Sequence, residues 1–119
     1  MKSVLIKVYE NGSNDLLEDF IPNDKKNFDT GLTLIIGAEG EIFEQIFYLG
    51  LRSFNDSQSY KNVCGFFWER FTLFIESYEY SIVFDIIRNK FDGVEGTNWR
   101  SIEEYMEKFA ISEFSNYIE

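Results

Sequence analysis

The sequence predicts an α+β fold, a mainly antiparallel sheet of about four strands with two C-terminal helices packed on one face. Three observations carry that reading. Short runs with strand-like apolar patterning fall within the first 75 positions, and after position 80 apolar residues recur every three to four residues. Strands therefore precede helices instead of alternating with them, which separates α+β from α/β organisation. The chain has 119 residues, 45% of them hydrophobic and 18% aromatic, enough for one core and too few for two, so residues 1–119 are read as a single domain.

The first strand is placed at residues 4–9, with Val4, Ile6 and Val8 on one side and Lys7 on the other, and it stops at Asn11-Gly12-Ser13-Asn14. Residues 15–30 are polar, contain Pro22 and the pair Lys25-Lys26, and read as a long loop anchored by Leu16, Leu17, Phe20 and Ile21, one of them in a helical turn. Two strands follow, residues 32–36 and 42–51, joined through Gly37-Ala38-Glu39-Gly40-Glu41, where the two glycines are expected to supply positive φ. In the second of these, Phe43, Phe47, Leu49 and Leu51 share one face and Ile42, Ile46 and Tyr48 the other, which predicts a central strand covered at least in part on both sides.

Residues 52–62 are rich in Ser, Asn, Asp and Gln and read as a mobile connection. Phe66, Phe67 and Trp68 then lead into a last strand in which Phe71, Leu73 and Ile75 alternate with Thr72 and Glu76. From there the period changes. Val83, Ile86, Ile87 and Phe91 form the apolar stripe of a helix that stops at Asp92-Gly93. A second helix starts after Gly96 with Thr97 or Asn98 as N-cap. It lines up Trp99, Ile102, Met106 and Phe109, and it turns Glu103, Glu104, Glu107 and Lys108 to water, Glu104 and Lys108 in the favourable i, i+4 order. Phe114, Tyr117 and Ile118 form a short apolar tail expected to fold back onto the core.

Charge narrows the function. There are 21 acidic and 11 basic side chains, a formal charge of -10, and the excess is even along the chain, 10 against 5 in residues 1–60 and 11 against 6 in residues 61–119. Such a field repels phosphate backbones and anionic lipid, so neither a nucleic-acid nor a membrane partner is expected, while encounter with a basic protein is accelerated. The lone cysteine cannot form an intramolecular disulfide, and the start Met1-Lys2-Ser3-Val4-Leu5 lacks the apolar core of a signal peptide, which points to the cytoplasm.

Chemistry is nearly absent from the residue inventory. With no histidine and one cysteine, the usual general base, the serine and cysteine triads and the ordinary zinc sites are all missing. Paired carboxylates remain, but Glu39, Glu41 and Glu44 sit at a hairpin turn and Glu103, Glu104 and Glu107 on a polar helix face, where solvated charge is the default. Residues 92–96 lack the ligand ladder of a calcium loop, and no lysine follows Gly37-Ala38-Glu39-Gly40 to make it a phosphate loop. No catalytic residue, cofactor or metal site is assigned. Cys64 reads as a small buried hydrophobe. Of Tyr78, Tyr80, Trp99, Tyr105 and Tyr117, one or two are expected to touch a partner and the rest to pack.

Several strings resemble a known family. Residues 34–41, Leu-Ile-Ile-Gly-Ala-Glu-Gly-Glu, followed by Glu44-Gln45-Ile46-Phe47-Tyr48-Leu49, resemble the hairpin of the immunity protein 8 family of bacterial polymorphic-toxin and contact-dependent inhibition systems. Residues 70–75, the opening Gly96-Thr97-Asn98-Trp99 and the closing segment 109–117 are similar to that family as well, so the resemblance runs over roughly residues 15–119. The chain departs from the family's Cys-x-Pro-x-Trp-Leu segment at residues 49–54 and has Ser112 in place of the closing tryptophan.

The resemblance implies a protein that binds and blocks a cognate toxin domain, often a nuclease, and it assigns no binding residues. On charge and exposure alone, the expected partner-binding surface is the acidic face Glu103, Glu104 and Glu107 with the neighbouring loop residues Asp92 and Glu95; the hairpin tip, Glu39 and Glu41, is the alternative surface. The rival reading is a nucleic-acid-mimicking or regulatory interaction module with no toxin partner.

Overall fold

The computed structural model describes residues 1–54 and 65–114. The strands are β1 (Ser3–Glu10), β2 (Asp29–Ala38), β3 (Glu44–Ser53), β4 (Phe66–Glu69), β5 (Thr72–Ile75) and β6 (Ile111–Ser112), and the helices are α1 (Tyr80–Phe91) and α2 (Trp99–Met106). The α+β class is as expected, but the sheet has six strands and is mixed. Its order is β1-β2-β3-β5-β4, antiparallel except for β3 and β5, which run parallel, and β6 pairs antiparallel with the other half of the same β3 edge.

Two corrections account for the extra strands, and a third concerns the register of β1. Phe66–Glu69 is a strand in its own right, paired with β5 across the two-residue loop Arg70-Phe71. The loop carries no glycine or asparagine signal, and Arg70 takes φ 53°. The strand 72–75 is not the last, because Ile111–Ser112 returns to β3. In β1 a register shift between Leu5 and Lys7 makes Ile6 a bulge. The alternation therefore changes phase: Ser3, Leu5, Val8 and Glu10 pair with Ala38, Ile36, Leu34 and Leu32 on the core side, and Ile6 is exposed, against the expected Val4, Ile6, Val8 face.

One face of the sheet holds the core. Leu32, Leu34 and Ile36 of β2, Phe47, Leu49 and Leu51 of β3, and Leu73 and Ile75 of β5 are buried against Val83, Ile86, Ile87 and Phe91 of α1 and Ile102 and Met106 of α2. Each fully buried aliphatic or phenyl side chain contributes roughly 1.5–3 kcal/mol, so these two apolar stripes are what hold the helices down. Both stripes match the periodicity of the sequence. Among the described residues no helix lies on the opposite face, where Glu44, Tyr48 and Arg52 of β3 are exposed and Ile46 is half-buried, so that side of the central strand is covered only in part.

The helix ends follow their local chemistry. Asn98 caps α2: its side chain accepts from the Ser101 amide at 3.0 Å, and the Asn98 amide donates back to the Ser101 hydroxyl at 3.4 Å, a reciprocal capping box. The helix ends at Met106, before Lys108, so the i, i+4 spacing with Glu104 is not realised within it. Gly93, just beyond α1, takes φ 73° and donates to the Ser3 carbonyl, which ties the helix exit to β1. Residues 17–19 make a single 3-10 turn inside the loop before β2, with Leu17 buried. Cys64, Tyr117 and Ile118 lie outside the described residues, as does the expected connection from residue 55 onward; Arg52 and Ser53 belong to β3, and Phe114 is half exposed.

Candidate partner-binding surface

The β2–β3 hairpin builds one wall of the candidate surface. Gly40 takes φ 80°, the conformation that lets the loop reverse, and the Glu41 amide closes a turn onto the Ala38 carbonyl at 3.0 Å. Gly37 does not adopt positive φ. It is a strand residue paired with Glu44, and a Cβ there would stand 3.0 Å from the Phe43 carbonyl oxygen, so what the glycine permits is close approach of the returning chain. The second strand begins at Glu44, which leaves Ile42 and Phe43 in the loop.

The α1–α2 connection builds the other wall, and the start of the chain joins the two. Lys2 bridges antiparallel to Glu95, the Gly96 amide donates to the Met1 carbonyl at 3.0 Å, and the Glu39 amide donates to the Lys2 carbonyl at 2.8 Å. Met1 and Lys2 are thus clamped between hairpin and helix connection. The result is a cleft of about 520 Å³ lined by Met1, Lys2, Glu39, Glu95, Gly96 and Thr97. Glu39 and Glu95, assigned from sequence to two alternative surfaces, sit on the same one.

The remaining acidic candidates fare differently. Glu41 is exposed on the hairpin loop beside Glu39, and Glu104 is exposed on α2. Asp92 is exposed, but its Oδ1 accepts the Leu5 amide at 2.8 Å, holding the edge of β1 next to the bulge. Glu103 does not face water. Its side chain is only 13% exposed, one oxygen accepting from Arg100 Nη1 at 2.7 Å and the other from Gln45 Nε2 at 2.6 Å. Glu107 also leans toward Arg100, at 3.8 Å. The hydrogen bond that Arg100 donates to Glu103 pushes its guanidinium above the ordinary pKa.

Gln45 is the residue the sequence reading passed over. It is buried, it donates to Glu103 and to the Ser112 hydroxyl at 2.8 Å, and it accepts the Trp99 indole N–H at 2.7 Å. One side chain thereby locks β3, β6 and the first turn of α2 together. The indole held this way meets the Phe43 ring edge to face, centroids 4.8 Å apart. A polar residue within an apolar run was the only signal of it in the sequence. Of the aromatic candidates, Tyr78 is buried, Trp99 and Tyr105 are half-buried and Tyr80 is at the surface.

Among the described residues no group of three or more His, Cys, Asp or Glu side chains is placed to hold a metal ion, and no helix is long and apolar enough to cross a membrane. No curated protein and no solved structure matches the chain. The family model for immunity protein 8 matches residues 4–117, nearly the whole length, including β1, which the sequence resemblance had left out. The chain belongs to the immunity protein 8 family.

Proposed function

We propose that this chain neutralises a cognate bacterial toxin domain by occupying it, through the acidic surface formed where the hairpin loop meets the α1–α2 connection, and that it catalyses nothing itself. The family implies an immunity protein acting on a toxin. The observation that supports this particular surface is the convergence of Glu39 and Glu95 on one cleft, with Glu41 alongside. Lys2 and the Met1 ammonium stand in the same cleft, so the steering of a basic partner rests on the net charge of -10 and on the exposed Glu41 and Glu44 beside Glu39, which raise the rate of encounter at low salt. The partner is a basic toxin domain, a nuclease being the natural case because its substrate cleft must attract phosphate, and the meeting takes place in the cytoplasm.

The test is to find a neighbouring gene for a large secreted protein with a variable C-terminal domain and to co-express that domain with this chain, scored by growth rescue and co-purification. Glu39→Lys with Glu95→Lys is expected to slow association by about tenfold at low salt and to flatten its dependence on ionic strength, because steering acts on the association rate. Failure of the native chain to rescue growth or to form a complex overturns the reading.

A further inference from the structure

The hairpin loop spends apolar surface on water. Ile42 is fully exposed, at 102% of its reference area, and Phe43 beside it remains 37% exposed. An isoleucine left in solvent forgoes the transfer free energy its burial would supply, and the loop that carries it is nevertheless firmly held. The Glu41 turn and the Glu39 amide fix its near side. On its far side Phe43 rests on Trp99, whose indole is fixed by Gln45, itself held by Ser112 and Glu103. A side chain presented on so braced a loop loses little further conformational freedom when a partner covers it, which is the condition under which apolar contact converts into affinity. Around it stand exposed carboxylates, Glu39, Glu41 and Glu44.

We infer that Ile42, standing beside the Phe43–Trp99 pair, is the apolar anchor of the toxin-binding surface and enters an apolar depression on the toxin domain that is bordered by lysine or arginine. The inference rests on the immunity reading above and adds a division of labour to it. The carboxylate rim governs how fast the partners meet, and the buried isoleucine governs how long they stay together. The basic border follows from charge complementarity: an apolar hole lined by acidic groups would bring like charges together around Ile42 as it closed.

The experiment measures binding of the neighbouring gene's toxin domain by surface-immobilised kinetics, with growth rescue in parallel. Ile42→Ala is expected to raise the dissociation rate by roughly 10- to 100-fold with little change in association rate, and Ile42→Arg to abolish rescue. Both variants should unfold within about 2–3 °C of the native chain, since surface substitutions away from packed features leave stability nearly unchanged. Tyr48→Ser, at an exposed position on the sheet face opposite the helices, should bind as the native chain does. Native-like kinetics for both Ile42 variants, with the native chain binding and rescuing, overturn the anchor and leave the immunity reading standing. Loss of binding in Tyr48→Ser with none in Ile42→Ala likewise moves the anchor to the open sheet face. Dimerisation of the native chain that Ile42→Arg abolishes assigns Ile42 to a second copy and overturns the proposal. Absence of any native complex removes the immunity reading and the anchor together.

Discussion

Trp99 donates its indole N–H to Oε1 of Gln45 at 2.7 Å, and through that bond the first turn of α2 is fastened to the middle strand of the sheet. Because Gln45 also donates to Glu103 and Ser112, its removal strips an indole donor and one carboxylate oxygen of this partner in one step, while the Ser112 hydroxyl keeps the Phe114 amide. Gln45→Leu keeps the volume and deletes the bonds, and it should cost about 2–4 kcal/mol, the range for leaving buried polar partners unpaired. Urea unfolding measures the loss, and tryptophan emission should shift as the indole is released.

Glu10 is a buried carboxylate, and among the described residues no cation is paired with it. Its oxygens accept the Ser13 amide at 2.7 Å, the Ser13 hydroxyl at 2.6 Å, the Gly12 amide at 3.0 Å and the Thr30 hydroxyl. Burial alone would raise its pKa, but these donors favour the charged form and bring it below the ordinary glutamate value. A depressed folded-state pKa gives stability that is fully present above the unfolded-state value and is lost as pH falls through the folded one. Glu10→Gln should therefore destabilise by about 2–3 kcal/mol near neutral pH. The gap to the native chain should close below about pH 4, as urea unfolding across that range will read.

Tyr78 titrates in the opposite sense. Its ring is enclosed by Phe20 and Phe28, edge to face at 5.6 and 5.9 Å, and its hydroxyl donates to the Phe20 carbonyl at 3.2 Å. Burial, followed by the charges of Tyr80 and Glu10, pushes its pKa up to about 12. The stability it contributes is complete below the usual tyrosine value near 10 and is lost as pH rises through about 12. Ultraviolet titration should show one tyrosine ionising late. Tyr78→Phe should abolish that step and cost about 1 kcal/mol near neutral pH.

Arg70 occupies left-handed backbone, φ 53°, at the first position of the two-residue β4–β5 loop. Glycine favours that position in a II′ hairpin turn. Arg70→Gly should be neutral to stabilising by up to about 1 kcal/mol, since the strain of a non-glycine residue there outweighs the extra freedom glycine gives the unfolded chain. Thermal unfolding checks the sign.

The helices were legible in the sequence because a 3.6-residue period is set by neighbours within one turn. Val83, Ile86, Ile87 and Phe91 of α1, and Ile102 and Met106 of α2, are buried as their spacing requires. The β2–β3 hairpin and the core face of β3 were legible for a similar local reason, the alternation of Phe47, Leu49 and Leu51. The β4–β5 hairpin was hidden because Arg70-Phe71 carries no turn residue and tertiary pairing imposed the positive φ. The bulge at Ile6 was hidden because a one-residue slip leaves the composition of β1 unchanged while reversing which side chains face inward.

For the candidate surface, the residues themselves established an acidic chain without histidine, hence a molecule expected to act by contact and not by proton transfer, together with the family to which its strings belong. Which carboxylates stand together was decided by folding alone. Glu39 meets Glu95 because the backbone of Lys2 pairs with both, whereas Glu103, equally acidic in sequence, is drawn inward by Gln45 and Arg100. Periodicity encodes which side of an element a residue occupies; the neighbour it finds across the molecule depends on strand order and register, and those are settled when distant segments bury their apolar faces against one another.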